Sequence, residues 1–145
     1  MTPKKHSIRL IFFSGKNKPI QKKILNMTAP LFPEDHISIH TTLESFSSDL
    51  RKLDNHYKII LILTNTQKDL LNILFLKELL NDCNIILILP DTAKETMAQA
   101  CKLYPRYISY IQSDFKDVNF VLKKMIGNLQ QKINGEKHGK NNRDD

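Results

Sequence analysis

The apolar residues of this chain fall into short runs, and stretches with helical spacing separate them. The clearest run lies in Tyr57–Thr66, where Ile59 to Leu63 are continuously apolar, too few for a buried helix and rich in β-formers. A strand buried on both faces reads this way. Ile8–Phe13 and Asn84–Leu89 carry the same signature, the latter stopped by Pro90. His36–His40 and Tyr107–Ile111 alternate instead, as half-exposed edge strands do.

Helices are expected between the strands. Asn17 is placed to cap the first, with Pro19 in its first turn and Ile20, Ile24, Leu25 and Met27 as its apolar side. Thr41-x-x-Glu44 reads as a capping box for a second, with Leu43, Phe46, Leu50 and Leu53 in one stripe. Thr66-x-x-Asp69 opens a third, expected to run through Leu80. Thr92-x-x-Glu95 opens a fourth, with Met97, Cys101 and Tyr104 in line. The fifth starts near Asp114 and Asp117 and keeps strict helical spacing from Val118 to Ile133. Five strands alternating with five helices give an α/β fold: a doubly wound, five-stranded parallel sheet in three αβα layers, of flavodoxin-like type. With the alternating strands at the edges, the expected order is 2-1-3-4-5. One domain should span residues 1–133, followed by a disordered polar tail at 134–145, with no output domain after it.

The third helix is unusual. At 100° per residue, Leu71, Phe75 and Leu79 fall on one side and Ile73, Leu76 and Leu80 on the other. A helix lying on a sheet needs only one apolar face. Phe75, Leu76 and Leu80 are therefore candidates for a partner surface, including a two-fold homodimer. The competing explanation is that neighbouring helices bury both flanks.

Composition adds little to the fold and something to the setting. The two cysteines, Cys83 and Cys101, have no C-x-x-C spacing, which fits a reducing cytoplasm and packing roles better than a zinc site or disulfide framework. No apolar stretch approaches the roughly 18 residues of a membrane span. The net charge of +7 is concentrated: residues 1–23 hold seven lysines and arginines and no acid. Such an end can meet a polyanion, but no aromatic or arginine cluster accompanies these lysines, so nucleic acid is disfavoured.

Ligands of open α/β sheets sit at the carboxyl ends of the strands. There Ser14-Gly15-Lys16-Asn17-Lys18 offers an anion a glycine, a helix start and two lysines. It is not a P-loop, and no G-x-S-x-G elbow surrounds Ser14. The turns after the third and fourth strands supply no aromatic ring for a flavin. His6, His36, His40, His56 and His138 are scattered, and the pair four apart on a strand lies about 13 Å apart. No metal or other cofactor is expected. Asp35, Asp91, Asp114 and Asp117 read as turn and cap residues.

Over roughly residues 6–130 the chain resembles the receiver domain of bacterial response regulators, in length, βα alternation and strand order. The stretch YPRYISYIQSDFKDVNFVLKKM adds to the likeness. Receivers place a Mg²⁺-holding acidic pair after the first strand, where this chain has Ser14 and Gly15. They place the phosphoacceptor aspartate after the third, where Thr64 and Asn65 stand. A hydroxyl residue is usual after the fourth, where Pro90 and Asp91 stand, and a lysine after the fifth, where Gln112 stands. The resemblance thus implies a degenerate receiver. Phosphoryl transfer to a carboxylate needs the nucleophile and a cation to offset charge, and both are missing. The expectation is a non-enzymatic, stand-alone regulatory module of two-component type that binds an unnamed protein partner or itself. The alternatives are a small-ligand or nucleotide binder using Ser14–Lys18, and a polyanion binder using the basic N-terminal region.

Overall fold

A computed structural model describes residues 8–54 and 57–143, with side chains to residue 135. Five parallel strands, β1 (Ile8–Phe13), β2 (Ile37–His40), β3 (Tyr57–Leu63), β4 (Asn84–Leu89) and β5 (Tyr107–Tyr110), form one sheet in the order β2-β1-β3-β4-β5. This is the doubly wound flavodoxin-like architecture in three layers. Leu10 of β1 lies opposite Ile37 and Ile59, and Ile60 of β3 opposite Ile85. Every residue from Ile59 to Leu63 is fully buried. Alternate residues feed opposite faces, which is why the run carries no polar position.

One face is covered by α1 (Lys18–Thr28) and α5 (Lys116–Arg143), which pack Ile24, Val118 and Leu122 against Leu10, Phe12, Leu61 and Ile88. The other is covered by α2 (Leu43–Leu50), α3 (Gln67–Leu74) and α4 (Lys94–Cys101), which pack Phe46, Leu70, Ile73 and Ala100 against Ile11, Ile60 and Leu87. Short 3₁₀ turns at Ala29–Leu31 and Glu34–His36 carry the chain from α1 to β2 around Pro30 and Pro33.

Several local expectations need correction. The second helix is capped by Thr42, whose hydroxyl accepts from the amide of Ser45, not by Thr41. It ends at Leu50, so Leu53 is fully exposed and leaves the stripe. The fourth helix is not opened by Thr92. Its N-cap is Ala93, which has no side-chain cap, and Asp91 just before it accepts from the Ala93 amide and the Thr96 hydroxyl. Its buried side is Thr96, Ala100 and Leu103. Cys101 is exposed, and Tyr104, in left-handed backbone at φ +51°, lies 75% exposed. The last helix continues to Arg143, past the point where a polar tail was expected. That segment has no proline, and its glycines cost only about 1 kcal/mol each relative to alanine. Lys4 and Lys5 of the basic end, with His6 and His56, lie outside the described residues.

The third helix is the most informative difference. Its α-helix ends at Leu74 and tighter turns follow: the Leu76 amide bonds to Ile73 three residues back, and the Leu80 amide is shared between the carbonyls of Leu76 and Lys77. The two apolar stripes then separate. Ile73 and Leu80 (2% exposed) lie in the core and Leu76 packs against it, whereas Leu71 and Phe75 (85% exposed) stand in solvent. Leu80 is thus a core residue and not a partner-surface residue, because the Ile73–Leu76–Leu80 side is the one that faces the sheet. Leu80→Ala should lower the unfolding free energy by about 2–5 kcal/mol, while Phe75→Ala should change it by less than about 0.5 kcal/mol. Urea titration of both variants checks the assignment, and equal losses would refute it.

Candidate functional site

The carboxyl edge of β1 and β3 opens into a cleft of about 640 Å³, with Gly15, Lys16, Asn17, Asn65, Lys68 and Asp69 in its walls. In this strand order the chain reverses direction between β1 and β3, the crevice where ligands of such sheets bind. Its floor is built by turn chemistry. The Ser14 amide donates to the carbonyl of His40, extending the ladder by one residue. The Ser14 side chain is buried; its hydroxyl accepts from Gln21 Nε2 at 2.7 Å and donates to the Gly15 carbonyl. Gly15 then turns the chain at φ +59°, a left-handed conformation that side chains with a Cβ adopt at a cost.

Asn17 does two jobs. Its Oδ1 accepts from the Ile20 amide and caps α1, and its Nδ2 donates to Asn65 Oδ1 at 2.7 Å across the cleft. Asn65 donates its amide to Asp69 Oδ2, while Thr66 Oγ1 accepts from the Asp69 amide, so the start of α3 satisfies its own donors. Thr64 is fully buried and turns away from the cleft, donating its hydroxyl to the Ile88 carbonyl at 2.7 Å. Asp91 is tied to the start of α4, and the Thr96 hydroxyl and Ala93 amide hold its carboxyl below the ordinary carboxylate range. Gln112 Nε2 donates to the Pro90 carbonyl.

The residues singled out from the sequence therefore all lie along one edge, but the structure divides them. Gly15, Lys16, Asn17 and Asn65 line the open cleft. Ser14, Thr64, Pro90, Asp91 and Gln112 are spent on internal hydrogen bonds, and Lys18 begins α1 as an exposed residue outside the cleft wall. Among the described residues, no group of three or more His, Cys, Asp or Glu is arranged to hold a metal ion. Cys83 is half-buried with its thiol on the Leu79 carbonyl, and burial pushes that thiol up.

A second polar cluster was missed by sequence reasoning. Arg9 of β1 reaches beneath α2, placing one nitrogen 3.0 and 2.9 Å from both oxygens of Asp49, with further bonds to Ser38 and Asp54. His40, at the end of β2, sets Nε2 at 2.8 Å from Asp49 Oδ2 and Nδ1 against the hydroxyl of Ser45. Ser45 and Asp49 lie four apart on α2, hence on one helical face, and this spacing beside His40 was the available signal. Burial raises the Asp49 carboxyl, but hydrogen bonds from His40 and Arg9, and their charges, outweigh it and hold it below the ordinary 3.8.

Comparisons of the chain with protein-family models, with curated proteins and with solved structures return no match.

Because the folded carboxyl of Asp49 titrates below its unfolded value, its stabilising contribution is complete above about pH 4 and disappears as the pH falls through the folded value. Acid unfolding should therefore steepen below pH 4, and Asp49→Asn should flatten that limb. At neutral pH, Asp49→Ala should cost about 1–3 kcal/mol, since Arg9 keeps Asp54 but loses its two bonds to the more buried carboxylate, and His40 loses its acceptor. Urea midpoints measured from pH 2.5 to 7 give both numbers; a variant with the same acid limb as the wild type contradicts the assignment.

Proposed function

We propose that the chain is a receiver-like regulatory module, without catalysis at its receiver-equivalent edge, that acts by binding a protein partner. The observation that carries this reading is the use made of the edge. Ser14, Thr64 and Asp91, at or beside the positions that hold metal and phosphoryl group in receivers, are each consumed by hydrogen bonds within the fold. A hydroxyl buried against a carbonyl is closed to a phosphoryl group, and Asp91 has one carboxylate oxygen committed to the Ala93 amide and the Thr96 hydroxyl. What this scaffold offers instead is surface: Leu71 and Phe75 stand exposed on α3 and just past its end, and Tyr104 past the end of α4. Large apolar side chains grouped in solvent favour contact with another protein.

Self-association is the simplest form of that contact. Light scattering from low to high micromolar concentration should show dimer formation that Phe75→Ser with Leu71→Ser abolishes. Acetyl phosphate with Mg²⁺ should leave the association and the protein mass unchanged. A monomer throughout removes the homodimer, and a phosphoryl group mapped to the Asn65 turn or Asp91 removes the non-catalytic reading.

The open cleft favours a second reading, the binding of a small anion or nucleotide. Lys16 and Lys68 face one carboxylate, Asp69, already engaged by an amide, and α1, α2 and α3 all begin near this edge. Titration calorimetry with phosphate, nucleotides and flavin mononucleotide should give binding that Lys16→Ala and Lys68→Ala each weaken severalfold. No heat at millimolar ligand sets this reading aside. The polyanion reading rests partly on Lys4 and Lys5, and in the described part Arg9 is withdrawn from it by its carboxylate partners.

A further inference from the structure

Ser45, His40 and Asp49 form a relay that the protein-binding reading does not use. The chain of bonds runs from solvent inward. Ser45 is exposed, His40 is half-buried, and Asp49 is 3% exposed. With Asp49 ionised and held by Arg9, the hydrogen-bond network assigns the imidazole proton to Nε2, donated to Asp49 Oδ2. Nδ1 is then the free base, and the Ser45 hydroxyl donates to it. This is the order nucleophile, base, orienting carboxylate, with the two ring nitrogens in exchanged roles relative to serine proteases.

The local backbone supports the same chemistry. Ser45 lies in the first turn of α2, three residues after the capping Thr42. The amides of Leu43 and Glu44 in that turn have no carbonyl within the helix to bond, and the positive end of the helix dipole lies with them. Both amides lie in the same first turn as Ser45, and donors of this kind stabilise an oxyanion. Ser45 is exposed, so an ester can approach its hydroxyl from solvent, and Thr41 and Leu43, which flank the cap, line the neighbouring cleft.

We propose that Ser45 is a nucleophile, with His40 as its general base and Asp49 as the residue that orients His40, and that it takes acyl groups from small carboxylic esters. In the first step Oγ bonds to the ester carbonyl carbon as its proton passes to His40 Nδ1. The carbon–oxygen bond to the alcohol then breaks, and the departing oxygen takes that proton from Nδ1. Ser45 is left acylated and the alcohol is free. Water repeats the sequence, releasing the carboxylic acid and restoring the hydroxyl, with no oxidant, reductant or metal required. Arg9 is a positioning residue. Its charge on Asp49 reduces the stabilisation that the carboxylate gives an imidazolium, so the reaction is slower than with an unpaired carboxylate.

The inference is independent of the protein-binding reading, and its test has separate readouts. The full chain is treated with p-nitrophenyl acetate and, separately, with a fluorophosphonate probe, and modified residues are mapped by peptide mass spectrometry. Ser48, an exposed serine of the same helix, is the internal control. The expected result is a burst of one equivalent of p-nitrophenol and a label on Ser45. The label should be lost in Ser45→Ala and form on the order of 100-fold more slowly in His40→Gln, with circular dichroism unchanged. If His40→Gln alters the fold, labelling of the wild type before and after urea unfolding replaces it, and Ser45 should react only when folded. Labelling of Ser48 at the rate of Ser45, acetylation confined to lysines, or equal reaction in the unfolded chain overturns the proposal.

Discussion

Burial of β3 on both faces is the constraint on which the rest of the structure depends. From Ile59 to Leu63 no residue reaches solvent, so both faces of the strand must be covered by something apolar. The chain supplies α1 and α5 on one side and α2, α3 and α4 on the other. Parallel strands require a crossover each time, and crossovers of one hand place successive helices as the order β2-β1-β3-β4-β5 dictates. The same order puts all the strand ends on one edge and leaves a crevice between β1 and β3. The position of the cleft is therefore a consequence of hydrophobic burial, before any residue in it is chosen.

What that edge holds is decided by a different force, the need of each buried or turning backbone group for a partner. Thr64, just past β3, is fully buried, and its hydroxyl bonds to a β4 carbonyl. Asn65 and Asn17 bridge the two turns, and each also serves the start of a helix. Bonds of this kind rigidify the edge and close Thr64 to a ligand, while Asn17 and Asn65 stay in the cleft wall. The cleft retains its lysines because an exposed ammonium on a flexible stem has no such obligation.

The fold was legible because its signal is long-range and redundant: three apolar runs, two alternating ones, and capping residues between them. The capping of α1 by Asn17 and of α3 by Thr66 followed from local chemistry alone. The errors lie where tertiary packing decides. The spacing of Leu71 to Leu80 gives two apolar stripes and does not say which of them meets the sheet; packing puts the Ile73 and Leu80 stripe inside and leaves Leu71 and Phe75 outside. The spacing of Cys101 and Tyr104 suits an inner stripe of α4, but the small residues Thr96 and Ala100 are the ones buried against the sheet, and Leu103 completes that side. The site was less legible. Its residues come from separate turns, and only the register of β1 on β3 brings Asn17 to Asn65.

Arg9 shows how a single charged residue can organise what the pattern conceals. It stands in an otherwise apolar strand, on the face covered by α2, where an isolated guanidinium would be costly to desolvate. Asp49 answers it, and with that pair in place α2 must lie with Asp49 toward the sheet. Helical geometry then carries Ser45, one turn earlier, to the same side, directly above the end of β2 where His40 emerges. A hydrophobic pair of equal volume would hold the helix at least as well, since buried ion pairs seldom stabilise more than the apolar contacts that replace them. What such a pair would not do is fix a tautomer. A carboxylate pinned by Arg9 accepts from Nε2 and so leaves Nδ1 as an acceptor facing a hydroxyl at the surface. The arrangement thus exchanges little or no stability for a defined proton position, and it does so at the sheet's open edge, where β2 has a strand neighbour on one side alone.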